Sequence, residues 1–155
     1  MITLVALLFG CASNRSSVSS ANSNNLVLGQ QIVNSAKSKI GSKYQYAARG
    51  PQKFDCSGLV EYIYRQYNLD VGGSAASMSL LGKAIDIEDA RSGDLIFYKK
   101  NGRVFHVSII SEGSGAELRV IHSTTSRGVI EEDILASPYW SDKIYKIISL
   151  TALDQ

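Results

Sequence analysis

Residues 54–60 read Phe-Asp-Cys-Ser-Gly-Leu-Val, and this stretch decides how the rest of the chain is interpreted. Apolar residues recur after it at helical spacing, so the sequence predicts an amphipathic helix that begins at Cys56. Asp55 is a good N-cap residue for that helix. A thiol in the first turn lies near the positive end of the helix dipole, which predicts a lowered pKa for Cys56. The alternative is a buried structural cysteine, the common fate of a free cysteine.

The composition indicates one globular domain with an N-terminal appendage. The chain has 155 residues, of which 45% are hydrophobic and 19% charged, so it is long enough for a core and is not of the disordered class. The net charge is +2 and the basic residues are scattered, which argues against nucleic acid as a partner. The two cysteines, Cys11 and Cys56, have such different sequence contexts that we expect no disulfide between them.

Residues 1–11 have the pattern of a secretory signal. An apolar run over residues 2–9 ends at Gly10 and Cys11 and is too short to span a bilayer. The last four residues resemble a bacterial lipoprotein signal, in which the cysteine becomes lipidated. The run lacks a preceding Lys or Arg, and a short buried strand is the alternative. Residues 12–27, rich in Ser and Asn, are interpreted as a flexible tether.

Residues 28–150 predict an α+β domain, with residues 151–155 as a tail. Helical periodicity over residues 28–40 and the cysteine helix come first, and short β-branched or aromatic runs follow. The predicted strands cover residues 95–98, 104–110, 118–121 and 144–150. Helices followed by an antiparallel sheet make an α+β fold. Ser74 is placed to cap a short helix over residues 75–81.

A thiolate nucleophile needs a base, and that base needs an orienting group. The chain has two histidines, His106 and His122, and both lie in predicted strands. Strand alternation puts Phe105 and Val107 on one face of the sheet and His106 on the other. A sheet packed against the cysteine helix would bring both histidines to Cys56. Taken singly, either histidine is more simply a satisfied polar group at a strand end.

Other chemistries fit the sequence less well. Two histidines and a cysteine on distant elements lack the short-range spacing of a metal site. No Gly-x-Ser-x-Gly elbow is present, which disfavours a serine hydrolase. Residues 138–140, Pro-Tyr-Trp, are interpreted as packing the connection ahead of the last strand.

Four motifs then occur in a fixed order. They are Tyr44 with residues 54–60, Ser-Gly-Asp-Leu-Ile-Phe-Tyr at 92–98, Phe-His-Val-Ser-Ile at 105–109, and Val-Ile-His-Ser at 120–123. Together they resemble the NlpC family of papain-like cell-wall cysteine peptidases, over residues 28–150. The resemblance implies a papain-like fold in which N-terminal helices pack on a C-terminal antiparallel sheet of five or six strands.

The resemblance also implies roles for individual residues. Cys56 would be the nucleophile, His106 the general base and later the acid, and His122 the residue that orients His106.

Three more positions match residues that surround the thiol in the family. Tyr44 matches a tyrosine whose hydroxyl lies near the thiol and helps bind the oxyanion, although a packed aromatic is the alternative. Asp55 and Ser57 match positions that recognise the substrate. Helix capping explains Asp55 equally well.

The expected function is therefore a peptidoglycan hydrolase that cleaves an amide bond of the stem peptide through a thioester. The bond would be the γ-D-glutamyl–diamino acid bond or the cross-link, and no metal or organic cofactor is required. We expect a monomer in the bacterial cell envelope, held by a lipid on Cys11 to a membrane, which is the outer membrane if the cell is Gram-negative. The alternatives are a papain-like amidase or acyltransferase acting on a lipid or small amide, and a non-catalytic wall-binding lipoprotein. Residues 46–50 and 71–78 depart from the family pattern and leave specificity open.

Overall fold

The computed structural model describes residues 16–113 and 116–149. In chain order its elements are α1 (Ser16–Lys37), β1 (Lys43–Tyr44), β2 (Lys53–Phe54), α2 (Cys56–Arg65), α3 (Ala75–Met78), β3 (Ala84–Ile85), a 3-10 helix (Ile87–Asp89), β4 (Leu95–Lys100), β5 (Arg103–Gly113), β6 (Leu118–Thr124), β7 (Gly128–Asp133), α4 (Pro138–Ser141) and β8 (Ile144–Ile148). The predicted α+β fold is confirmed. The predicted signal segment, with Cys11, and the tail lie outside the described residues.

Six strands form one antiparallel sheet in the order β3-β8-β4-β5-β6-β7, while β1 and β2 pair separately in parallel. The long strand β5 pairs with β4 on one side and β6 on the other, so the strands that carry the two histidines are neighbours. The sequence did not predict β7, because half of it is the acidic run 131–133, and acidic residues are depleted in strands.

Helices cover one face of this sheet. The apolar stripe of α2 is buried as predicted, and it packs on side chains from β4, β5 and β6. The buried members of this contact are Leu59, Val60, Ile63 and Tyr64 from the helix and Leu95, Phe97, Val107, Ile109 and Ile121 from the sheet. Burying each such side chain stabilises the fold by roughly 1.5–3 kcal/mol. This packing holds the start of α2 against β5.

The opposite face of the sheet has a smaller core of its own. It is built around Trp140, from α4, together with Ile96, Tyr98, Ile110 and Val120 from the strands. Trp140 is buried there, which confirms the predicted packing role for this residue, whereas Pro138 and Tyr139 are exposed.

Helix α1 begins much earlier than predicted. Residues 16–27 are helical, so the interpretation of residues 12–27 as a flexible tether is wrong for that part. Ile32 and Val33 are fully buried and anchor the C-terminal half of α1, and each residue added to an anchored helix fixes one more hydrogen bond at little cost. Leu26 and Val27 are each 58% exposed, so the end of the extension nearest the core forms without burying these two side chains. Within the described ranges, no helix has the length and apolar content needed to cross a membrane.

Candidate active site

The first turn of α2 holds Cys56 in place through its cap. Asp55 is extended, and its Oδ1 accepts hydrogen bonds from the Gly58 backbone N–H at 2.6 Å and the Ser57 hydroxyl at 3.1 Å. The predicted N-cap is therefore confirmed. A Cβ on Gly58 would lie 2.0 Å from the Ala48 carbonyl oxygen. The glycine thus lets the loop before the helix pack directly on the cysteine turn.

The thiol of Cys56 differs from the sequence prediction in its acidity. Burial raises the pKa of the Cys56 thiol, and the neighbouring Asp55 carboxylate raises it further. Backbone N–H groups, including that of Val107, act in the opposite direction but do not outweigh burial. The prediction of a lowered pKa is therefore wrong, because the sulfur is buried and the cap that forms the helix start also places a negative charge beside it.

The two histidines meet across the β5–β6 pair. His106 Nε2 lies 3.0 Å from His122 Nδ1, and both rings are almost fully buried. The hydrogen bond uses one nitrogen of the His106 ring, which leaves His106 Nδ1 as the nitrogen available to the thiol. The structure thus brings His106 and His122 together as expected, and their catalytic roles stay a prediction.

A β-bulge in β5 lies next to His106. Tyr98 pairs with His106, and the register then shifts, so that Phe105 has no partner across β4. The Phe105 ring lies 6.3 Å from the Trp140 ring and is parallel to it within 9°. The prediction that Phe105 shares a face with Val107 is wrong, because alternation holds only where the strand is regular.

A cleft of about 410 Å³ brings the predicted residues together. Tyr44, Cys56 and His106 line it, together with the β6–β7 turn and the aromatic side chains of α4. The volume is within the range of small-ligand sites. Asp55 and Ser57 are absent from this lining in the described part of the chain, and their side chains are engaged in the cap. Their substrate-binding role stays a prediction.

The hydroxyl of Tyr44 is held in its protonated form. Burial raises its pKa, and the charge of a Cys56 thiolate would raise it further. A neutral phenol next to the sulfur is a hydrogen-bond donor at neutral pH.

Three residues surround His122 that the sequence analysis did not place in the site. Glu132 Oε1 lies 2.9 Å from His122 Nε2 and accepts a hydrogen bond from the Trp140 indole N–H, also at 2.9 Å. The Arg127 guanidinium holds both oxygens of Glu132, at 2.7 and 3.0 Å. Trp140 also stacks on the His106 ring, with centroids 4.7 Å apart. No local pattern marks these residues, because their contacts depend on strand pairing.

Both histidines are neutral at pH 7. Burial lowers the pKa of His106 well below its usual value, and the neighbouring His122 adds to the effect. Burial also lowers the pKa of His122, to about 4, although the Glu132 carboxylate opposes the change. Burial would raise the pKa of Glu132, but its hydrogen bonds with Arg127 and His122 keep it below the usual value. The resting site is therefore a neutral thiol beside a neutral imidazole, with an ionised carboxylate behind them.

One buried hydrogen bond joins the two sides of the site. The Ser123 hydroxyl, next to His122 in β6, donates to the Phe54 carbonyl oxygen at 2.8 Å, just before the cysteine helix. It fixes the strand that carries His122 against the start of α2.

Within residues 16–113 and 116–149, no three side chains of the metal-ligating types are grouped to hold an ion. The groups present can instead transfer a proton from the thiol to His106 and stabilise the imidazolium that results.

Comparison with known proteins agrees with this reading of the fold. The chain belongs to the NlpC/P60 family, whose model matches residues 41–149. The resemblance seen in the sequence is therefore confirmed.

Two relatives and one solved structure illustrate the similarity. The gamma-DL-glutamyl hydrolase of Bacillus subtilis is 32% identical over 111 residues, which are 71% of this chain and 27% of that protein. The peptidoglycan DL-endopeptidase CwlO of Bacillus licheniformis is 34% identical, over 72% of this chain and 24% of its own length. The crystal structure of an NlpC/P60 family protein from Bacillus cereus superposes with a TM-score of 0.73 at 26% identity, covering 81% of this chain and 40% of that one. The chain thus spans only about a quarter of the two relatives.

Proposed function

We propose that this protein is a peptidoglycan hydrolase that cleaves an amide bond of the stem peptide with Cys56 as nucleophile. The observation that carries the proposal is the cleft lined by Cys56, His106 and Tyr44, with His122 bonded behind His106. This arrangement lies in a chain whose residues 41–149 match the NlpC/P60 family.

In the first half of the reaction, His106 Nδ1 takes the thiol proton as the sulfur attacks the amide carbonyl carbon. Because the thiol is neutral at rest, proton transfer and attack belong to one step. The oxyanion is stabilised by the Tyr44 hydroxyl and by backbone N–H groups at the start of α2, an effect worth on the order of 3–4 kcal/mol per donor in other hydrolases. His106 then returns the proton to the amine, which leaves as the C–N bond breaks and the thioester forms.

In the second half, His106 removes a proton from water, and the hydroxide oxygen attacks the thioester carbonyl carbon. The C–S bond breaks, the carboxylic acid product is released, and the proton on His106 restores the thiol of Cys56. The low pKa of His106 suits both halves, since the ring is neutral whenever it must accept a proton.

The bond proposed is the γ-D-glutamyl bond to the diamino acid. Support comes from two relatives at 32% and 34% identity that are named gamma-DL-glutamyl hydrolase and peptidoglycan DL-endopeptidase. The cross-link between neighbouring stems is the other outcome of the experiment below.

The location proposed is the bacterial cell envelope, with a lipid on Cys11 as the membrane anchor. The support is the sequence pattern of residues 1–11, which ends an apolar run at a cysteine. Metabolic labelling with an alkyne-tagged fatty acid tests it: Cys11→Ser should lose the label, and Cys56→Ser should keep it. Equal labelling of both variants would contradict the anchor.

Digestion of purified sacculi by the wild type and by Cys56→Ala tests the activity. We expect soluble muropeptides from the wild type and none from the variant, and mass spectrometry of the new ends identifies the bond. Equal amounts of product from both proteins would rule out Cys56 as the nucleophile. If muropeptides remain intact while a small amide or acyl substrate is turned over, the amidase or acyltransferase alternative is correct.

A further inference from the structure

Glu132 is the only carboxylate in contact with the histidine pair among the described residues. It lies on β7, and its Oε1 lies 2.9 Å from both His122 Nε2 and the Trp140 indole nitrogen and also accepts from Arg127, at 2.7 Å. Its other oxygen, Oε2, is held by Arg127. The carboxyl group is therefore fixed in position by two donors besides the histidine.

This contact determines which nitrogen of His122 carries the proton. A carboxylate is an acceptor only, so the neutral His122 ring must present Nε2–H to Glu132. The other nitrogen, Nδ1, then has a free lone pair. The Ser108 hydroxyl, at 3.1 Å, donates its proton to the Tyr98 hydroxyl, so the donor left for this lone pair is His106 Nε2, at 3.0 Å.

The proton position on His122 in turn determines the proton position on His106, the ring on the side of Cys56. If His122 Nδ1 accepts, then His106 Nε2 carries the proton, and His106 Nδ1 is left unprotonated. In the opposite arrangement, with the proton on His122 Nδ1, His106 would carry its proton on Nδ1 and would be unable to take one from Cys56.

We propose that Glu132 is a positioning residue that, through His122, fixes the tautomer of His106 and so makes Nδ1 the base nitrogen for Cys56. For its effect on catalysis this inference rests on the proposed function. For its effect on the tautomers it rests on the hydrogen-bond geometry and on the neutrality of the two rings. Arg127 and Trp140 contribute by holding the carboxylate in place.

The tautomers can be measured directly in the full-length chain labelled with ¹⁵N. Long-range ¹H–¹⁵N spectra distinguish a protonated ring nitrogen from an unprotonated one, and His106→Asn assigns the signals because the chain has just two histidines. In the wild type we expect His122 protonated at Nε2 and His106 protonated at Nε2. A wild-type spectrum with the proton on His122 Nδ1 would overturn the proposal without any variant.

Glu132→Gln tests the same point by substitution. The amide keeps the size of the side chain but can turn its NH₂ toward His122, so the tautomer is no longer fixed. We expect a mixture of His122 tautomers and a fall in kcat of about tenfold or more with little change in KM, because only the proton transfer is affected.

The matched control is Glu131→Gln, one residue earlier in the same strand. Glu131 accepts from the Ser111 hydroxyl at 2.7 Å and pairs with Lys37 at 3.5 Å, and makes no contact with either histidine among the described residues. In Glu131→Gln we expect the histidine tautomers and kcat to be unchanged.

Wild-type tautomers and a wild-type kcat in Glu132→Gln would overturn the proposal. The spectra need no substrate. An absence of activity on peptidoglycan would therefore count against the proposed function only, and the tautomer measurement would still decide this inference.

Discussion

The side of the cleft that holds the proposed nucleophile and the side that holds the proposed base are built in different ways. Cys56 is positioned by its immediate neighbours in sequence, through the Asp55 cap and the close contact of Gly58 with Ala48. His106 is positioned by three strands and a helix, through His122 and Glu132. One side is therefore local in sequence and the other is not.

The two sides also differ in electrostatics. The carboxylate of Asp55 lies beside the thiol and raises its pKa, which opposes ionisation. The carboxylate of Glu132 lies behind His122 and supports positive charge on the histidine pair as the proton arrives. The site thus keeps the thiol protonated until the base accepts its proton, rather than storing a thiolate.

The largest expected effect is the loss of either reacting group. His106→Ala should lower kcat by on the order of 10²- to 10⁴-fold, since proton transfer by a positioned base contributes that much. Cys56→Ala should abolish turnover. Because both act in one step, Cys56→Ala combined with His106→Ala should be no worse than Cys56→Ala alone. Steady-state kinetics on muropeptides measure kcat for the single and double variants, and melting curves check that each variant is folded. A further loss of turnover in the double variant, relative to Cys56→Ala, would contradict the shared step.

The second effect is on stability and belongs to the base side. The unfolded chain binds a proton on His122 near pH 6.5, whereas the folded chain does so only at about pH 4. Stability should therefore fall as the pH drops through this window, by up to about 3 kcal/mol. Urea unfolding at several pH values measures the slope, and His122→Gln should make it shallower. The charged or titratable groups that face the His122 ring in the wild type are Glu132, Arg127 and His106. A slope that is equal in the variant and the wild type would contradict the assignment.

The third effect disrupts the packing of the loop against the first turn of α2, on the Cys56 side of the cleft. Gly58→Ala adds a Cβ 2.0 Å from the Ala48 carbonyl oxygen, so the loop must move. We expect a loss of roughly 1–3 kcal/mol in the free energy of unfolding, together with lower activity, although alanine favours helix. The control is Gly72→Ala, whose Cβ would meet only the Asp70 side chain, at 3.3 Å. Equal stability of the two variants would show that the contact with Ala48 is unimportant.

The smallest effect tests the charge beside the thiol. Asp55→Asn keeps an equally good N-cap but removes the carboxylate that raises the pKa of Cys56. The thiol pKa should fall, and alkylation by iodoacetamide at pH 7 should become roughly two- to tenfold faster. Asp86→Asn serves as the control, because the Asp86 side chain makes no cap hydrogen bond. An unchanged alkylation rate in Asp55→Asn would mean that burial alone sets the pKa.

The same contrast explains what the sequence could predict. The cysteine helix, its cap and its apolar face follow from residues within a few positions of Cys56, and all were predicted. The partnership of His106 with His122 was predicted through the family resemblance, not from spacing.

The features that the sequence did not predict depend mostly on how distant strands pair. Glu132 lies in an acidic run that resembles a solvated strand end, and only the register of β6 with β7 brings it to His122. The bulge at Phe105 likewise depends on how β5 pairs with β4. The helical start of α1 was missed because Ser- and Asn-rich sequence has little helical preference by itself.

The hydrogen bond from the Ser123 hydroxyl to the Phe54 carbonyl joins the two sides without using any charge. Dissolved salt screens charges and leaves a buried neutral bond almost untouched. The half-exposed Arg127–Glu132 pair, in contrast, is open to screening. Raising the ionic strength should therefore weaken the ion pair that holds Glu132 behind the histidines, while the distance between the thiol and the His106 imidazole stays the same.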